Sequence, residues 1–200
     1  MQAGYSPRWL LVGVILSICI SCGSGSDVGT VPAVADVAPK RSFSLIDQHG
    51  RRVAESDFSG EWLLVFFGFT HCPDVCPVTL ARVKASLDLL GSEASQVRVL
   101  FITVDPERDT ADVLDRYLES FGPEFVGLTG TSAEIETVKS TFGGYAAHQA
   151  STDSGEYQVD HSATLYLVDP EGRLSRQFSS QTDPSQLAES LRGIISGHLD

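Results

Sequence analysis

Two hundred residues suffice for one ordinary domain, and 42% hydrophobic residues with 18 Gly and 9 Pro make a globular balance rather than a disordered or fibrous one. Lys and Arg total 14 against 26 Asp and Glu, so the formal charge is -12 and the sequence pI about 4.7. That balance argues against a nucleic-acid partner, which needs a concentrated basic face. An acidic surface solvates the domain and is compatible with docking a basic protein.

Residues 1–22 read as a targeting segment. Arg8 supplies a sparse positive end, and Trp9 to Ile20 is an apolar run of twelve. Twelve residues rise only about 18 Å as a helix, short of the roughly 30 Å hydrocarbon core, so the run reads as a signal peptide rather than a span. Its end, Cys19-Ile20-Ser21-Cys22, resembles the lipobox of bacterial lipoproteins, with small Ser21 before the acceptor Cys22, although Cys19 stands where that pattern prefers Leu. Lipidation at Cys22 would anchor the protein to a membrane of the bacterial cell envelope, facing the periplasm or extracytoplasmic side. A plain cleaved signal is the alternative. Either route leads to an oxidising compartment. Residues 23–40, rich in Gly, Ser, Pro and Ala, form a flexible tether, and residues 41–200 form the folded domain.

Within that domain, Phe43 to Val53 predicts a hairpin turning at Gln48-His49-Gly50, which leaves His49 exposed. Trp62 to Phe69 is a continuous apolar run expected of a strand buried on both faces, and Val97 to Val104 is a second. Helical spacing predicts helices over Pro77–Leu90, stopped by Gly91, over Thr110–Phe121, and over Ser132–Phe142. A short strand is expected over Phe125–Leu128. Thr164–Val168 and Leu174–Phe178 form a hairpin across Asp169-Pro170-Glu171-Gly172, and Pro184–Ile195 is a terminal helix. Strands alternating with helices, plus the late antiparallel hairpin, indicate an α/β layer fold with helices on both faces.

The chain has four cysteines. With Cys19 and Cys22 in the export segment, the domain holds Cys72 and Cys76, both inside GFTHCPDVCP. A disulfide across so small a loop removes little chain entropy, so chemistry is a better reason for the pair than stapling. Pro77 suits the first helical position, which makes Cys76 the N-cap and Cys72 to Val75 a loop. The partial positive charge of a helix N-terminus favours thiolate, so both sulfurs are expected to be partly exposed with lowered pKa.

Strand, cysteine pair and helix in this order resemble the thioredoxin-like fold, whose redox enzymes space their cysteines C-x-x-C where this chain has C-x-x-x-C. A closer resemblance is to the Sco/SenC family of copper proteins associated with cytochrome c oxidase assembly. It is carried by GFTHCPDVCP, by TVDPERDT (Thr103 to Thr110) and by DHSATLYLVDPEGR (Asp160 to Arg173), in that order, and spans Phe43 to the C-terminus. The resemblance implies a thioredoxin-like central mixed sheet flanked by helices, with the N-terminal hairpin and the late antiparallel hairpin added.

It also implies that Cys72, Cys76 and His161 bind copper, and that Cys72 and Cys76 form a redox disulfide when oxidised. Two thiolates and an imidazole are a soft set suited to copper(I). Structural zinc would want a closed fourth ligand, for which Asp74 or His71 is available. Without the family pattern, His161 reads as a satisfied histidine at the start of a strand. Thioredoxin-like enzymes carry a cis-proline before the strand that faces the cysteines; the aligned position here is Ala163, so an imidazole is offered where a substrate disulfide would be flanked. Asp160 is a weak partner for that ring, being its sequence neighbour. Asp105 and Asp109 follow the second buried strand at the sheet end shared with the Cys loop, where sites gather in such sheets. Together with Asp74 they are candidates to modulate the site or face a partner; alternatively Asp109 caps the next helix. His71 either helps ionise Cys72 or points to solvent, and His148 and His198 read as surface residues.

Two functions follow. One is a copper(I) carrier delivering to the dinuclear copper centre of cytochrome c oxidase, its partner being the copper-bearing subunit or another copper-recipient protein. The other is a thiol-disulfide reductase that keeps the recipient's cysteines reduced, with His161 as the discriminator. A peroxidase of the same superfamily would need T-x-x-C, which Thr70-His71-Cys72 does not match.

Overall fold

The computed structural model describes residues 40–143, 146–148, 159–161 and 164–197. The export segment with Cys19 and Cys22, the tether up to residue 39, Ala163 and His198 lie outside the described residues.

In chain order the strands are β1 (Ser44–Asp47), β2 (Arg52–Ala54), β3 (Trp62–Gly68), β4 (Val97–Thr103), β5 (Phe125–Thr129), β6 (Ala146–His148), β7 (Val159–His161), β8 (Thr164–Val168) and β9 (Leu174–Ser179). The helices are α1 (Val75–Leu90), α2 (Ala111–Leu118), α3 (Ser132–Thr141) and α4 (Pro184–Ile195). Every residue of β3 after Trp62 is buried, as its unbroken apolar run requires. It pairs in parallel with β4, from Trp62 opposite Val97 to Gly68 opposite Thr103, and β4 pairs in parallel with β5. On its other side β3 meets β8 antiparallel, and β8 meets β9 through the late hairpin. The N-terminal hairpin completes a seven-stranded mixed sheet in the order β2-β1-β5-β4-β3-β8-β9.

Alternation along the strands divides the core between two faces. Leu64, Phe66, Val99, Phe101 and Leu167 pack with Leu80 and Val83 of α1, Leu114 of α2 and Leu191 of α4. Leu63, Val65, Phe67, Leu100 and Ile102 pack on the other face with Ile135 and Val138 of α3. Phe66 and Phe101 are fully buried, and each aromatic ring withdrawn from water contributes about 1.5–3 kcal/mol. Helix ends follow local chemistry. Gly91 closes α1 at φ 70, and Asp183 caps α4 by accepting the Ser185 N–H at 2.9 Å. α2 ends at Leu118, before Phe121, where a tighter turn from the Phe121 N–H to the Leu118 carbonyl leads into Gly122 at φ 123.

The sequence reading did not foresee the two-stranded sheet of β6 and β7, with Ala146 opposite His161. Three-residue strands in a polar stretch are too short to show a two-residue period.

Candidate functional site

Because β3 and β4 run parallel, their C-terminal ends share one rim, and the Val104 N–H donates to the Gly68 carbonyl at 2.8 Å. The Cys loop leaves from this rim. α1 begins at Val75 with Asp74 as its N-cap, two residues earlier than expected, so Cys76 and Pro77 are the second and third helical residues. Pro77 is tolerated there because the first N–H groups of a helix have no intrahelical acceptor. The Asp74 side chain, exposed, makes no capping bond. The Cys72 sulfur takes that part instead, accepting the Cys76 N–H at 3.4 Å.

The two thiols are both free, yet they differ in setting. Cys72 is half-buried. Cys76 is fully buried among Leu80, Val83 and Phe101, contrary to the expectation that both would be partly exposed. Burial pushes its thiol above the usual cysteine range, overriding the helix terminus; a backbone hydrogen bond from Phe69 acts in the opposite direction, and the neighbouring Cys72 adds to the rise. Gly68 makes the close packing possible. A Cβ on it would stand 2.9 Å from the Cys76 Sγ and 2.6 Å from the Phe101 Cε2, so a side chain there collides with the sulfur.

Asp109 ties the Cys loop to β4. Fully buried, it accepts the Thr70 N–H at 3.0 Å and the Thr103 hydroxyl at 2.6 Å on Oδ2, and the Thr70 hydroxyl at 2.6 Å on Oδ1. It does not cap α2, whose N-cap is Thr110. Asp105, also buried, pairs with Arg108, and its own N–H donates to the Thr103 hydroxyl at 2.9 Å. At such depth neither carboxylate presents a surface to a partner, and Asp109 reaches the cysteines through the loop that it holds at Thr70. The His71 side chain is half exposed, with Nδ1 3.1 Å from the Thr70 hydroxyl and 3.7 Å from Asp109 Oδ1. It therefore sits over the carboxylate rather than free in solvent.

His161 ends β7, and Thr164, three positions on, opens β8, where Leu165 lies opposite Phe66 near the C-terminal rim of β3. The His161 and His148 side chains lie outside the described residues. Among the described residues no three His, Cys, Asp or Glu side chains gather to hold a metal ion.

The sequence of the SCO1/SenC family matches this chain over residues 34–196. The chain belongs to the SCO1/SenC family. Its SCO1/SenC relatives include the mitochondrial SCO2 homolog of Danio rerio, 41% identical over 152 residues that cover 75% of this chain and 54% of that protein. The SCO2-like protein of Rickettsia felis is 38% identical over 76% of this chain and 74% of its own length. The chain thus spans little more than half the length of mitochondrial relatives such as the first. Among solved structures, Arabidopsis thaliana ScoI with copper bound superposes with a TM-score of 0.73 at 37% identity, covering 78% of this chain and 97% of that one. Bradyrhizobium japonicum ScoI with copper bound gives 0.70 at 41% identity, covering 78% and 98%. The thioredoxin-like mixed sheet is therefore the fold of this chain as of its relatives. Among the described residues no helix is long and apolar enough to cross a membrane.

Two contributors to the rim escaped the sequence reading: Gly68 and Thr103. They stand at the ends of the paired strands, where a glycine and a threonine in otherwise large apolar runs are the available signal.

Proposed function

We propose that this protein is a membrane-anchored copper(I) carrier of the cell envelope that supplies the dinuclear copper centre of cytochrome c oxidase during its assembly. The observation that carries the reading is a pair of free thiols on and just before the first turn of α1, one reachable and one buried, in a chain alike in sequence and fold to ScoI proteins with copper bound. Cys72 and Cys76, with the imidazole of His161, are the donors. Two thiolates and one imidazole suit a soft monovalent ion, and the half-buried setting of Cys72 leaves a route for handing it on. Asp74, exposed two residues after Cys72, is an acidic group available to a partner. Anchorage would come from a lipid on Cys22, and mass spectrometry of the mature N-terminus tests it.

A second reading rests on the same thiols. BsSco, a member of the Sco family of cytochrome c oxidase assembly proteins in which a disulfide switch has been identified, is 25% identical to this chain with a TM-score of 0.65. Such a switch would suit a reductase that keeps a recipient's cysteines reduced. The carrier reading is tested by copper stoichiometry of the reduced full chain. One copper per chain is expected, and Cys72→Ser and Cys76→Ser should each lose it; wild-type copper content in both would sink the site assignment.

A further inference from the structure

Of the three large apolar side chains exposed among the described residues, two stand together at the start of α1: Val75 at 40% and Val78 at 44%. Positions three apart on a helix are neighbours, so the pair forms one patch on the side of α1 turned away from the core, which Cys76, Leu80 and Val83 face. Asp74 joins it, its carbonyl accepting the Val78 N–H at 3.2 Å. Arg82, half-buried one turn beyond Val78, ends the patch. The reachable thiol adjoins it, because the Cys72 sulfur lies 3.4 Å from the nitrogen of the peptide bond between Val75 and Cys76.

Carboxylates surround this end of the sheet. α1, α2 and α3 each follow a strand of the parallel run β3-β4-β5, so all three begin at the cysteine rim. Glu107, in the loop leading to α2, and Asp112, in the first turn of α2, are exposed there as Asp74 is, whereas Arg108 of the same loop is held by Asp105. The whole chain carries a formal charge of -12. A second copy or an anionic lipid surface would meet this face with like charge, and a basic protein would be drawn to it.

We propose that Val75 and Val78, bordered by Asp74, Glu107 and Asp112, form the surface on which a copper recipient docks, and that this recipient is a protein presenting an apolar spot edged by lysine or arginine. An apolar centre inside a polar border is the common build of a protein contact. Seated there, the recipient keeps water from the Cys72 sulfur while its own donor reaches the ion. The carboxylates speed the encounter more than they tighten it.

The inference rests on the copper-carrier reading. Its test follows copper(I) leaving the reduced, loaded full chain, once to the purified copper-free subunit that bears the dinuclear centre and once to a small chelator, which needs no docking surface. Val75→Ser/Val78→Ser should slow transfer to the subunit about tenfold, with copper(I) affinity and the rate of loss to the chelator unchanged. Asp74→Asn/Glu107→Gln/Asp112→Asn should remove most of the salt dependence of transfer to the subunit. A wild-type transfer rate in the valine variant overturns the proposal, as does an equal slowing with the chelator, which would place the defect in the site. Sedimentation showing that the wild type pairs with itself through the two valines overturns it in favour of a second copy. If the wild type gives copper to the chelator but not to the subunit, the carrier reading fails and the docking surface falls with it; transfer that the valine variant leaves intact defeats the surface alone.

Discussion

Aspartate does two different jobs in this molecule, in the hairpin turns and at the cysteine rim. Asp47-Gln48-His49-Gly50-Arg51 and Asp169-Pro170-Glu171-Gly172-Arg173 close their hairpins identically. Oδ1 accepts backbone N–H groups two and four residues on, Oδ2 accepts the Nε of the arginine four residues on, and the glycine takes a positive φ of 76 or 85. At Asp47 burial raises the carboxyl pKa, but hydrogen bonds from Arg51 and His49 outweigh it and hold the group below its usual range. Each turn is satisfied within five residues. Asp109 has the opposite arrangement, since its acceptors serve Thr103, 6 residues back, and Thr70, 39 residues back. The first kind of carboxylate ends a strand; the second fixes where a loop from a different strand, and hence Cys72, must lie.

The largest expected effect follows from removing the second kind. Asp109→Ala would leave the Thr70 N–H and the Thr70 and Thr103 hydroxyls without their acceptor. At about 1–3 kcal/mol for each buried unpaired group, a loss of about 3 kcal/mol or more is expected in denaturant unfolding, together with weakened copper(I) binding. Stability like that of wild type would mean that the rim is not organised from Asp109.

Gly68→Ala comes next. The added methyl must displace the Cys76 sulfur or the Phe101 ring, and overpacking of this kind costs about 1–3 kcal/mol. Calorimetry should record the loss, and, on the carrier account, a chelator competition should record a weaker copper site because the Cys76 sulfur has moved. An unaltered site would show that the rim adjusts as freely as a turn does.

Asp169→Ala is the control at the small end. Its groups are partly exposed, so a cost of about 1 kcal/mol is expected, with copper(I) affinity unchanged. A copper defect here would erase the distinction between the two kinds of aspartate.

The same distinction explains what was legible in the sequence. Both hairpins could be read because Gly50 and Gly172 and the flanking apolar runs are local signals. α4 could be read to its ends because Asp183 and Pro184 announce its start. The cysteine pair stood out by spacing and by the three family motifs around it. The start of α1 was misplaced because Pro77 suggests the first helical position, whereas the Cys72 sulfur, four residues before Cys76, supplies the cap. The depth of Cys76 depends on Gly68 of another element, and the duties of Asp109 on a threonine 39 residues away. Neither has a local signature.

Whether the rim carries copper or only electrons turns on the third donor. Disulfide exchange needs Cys72 and Cys76 alone, one to attack and one to resolve. On the carrier account, holding copper(I) needs the His161 imidazole as well, and each 1.4 kcal/mol of lost ligation weakens binding about tenfold. Maturation of cytochrome c oxidase under limiting copper, with His161→Ala as the sole copy, is therefore the decisive measurement. The carrier account predicts failure of maturation, as with Cys72→Ser and Cys76→Ser. Full maturation by His161→Ala beside loss in either cysteine variant would contradict it and leave a thiol reductase.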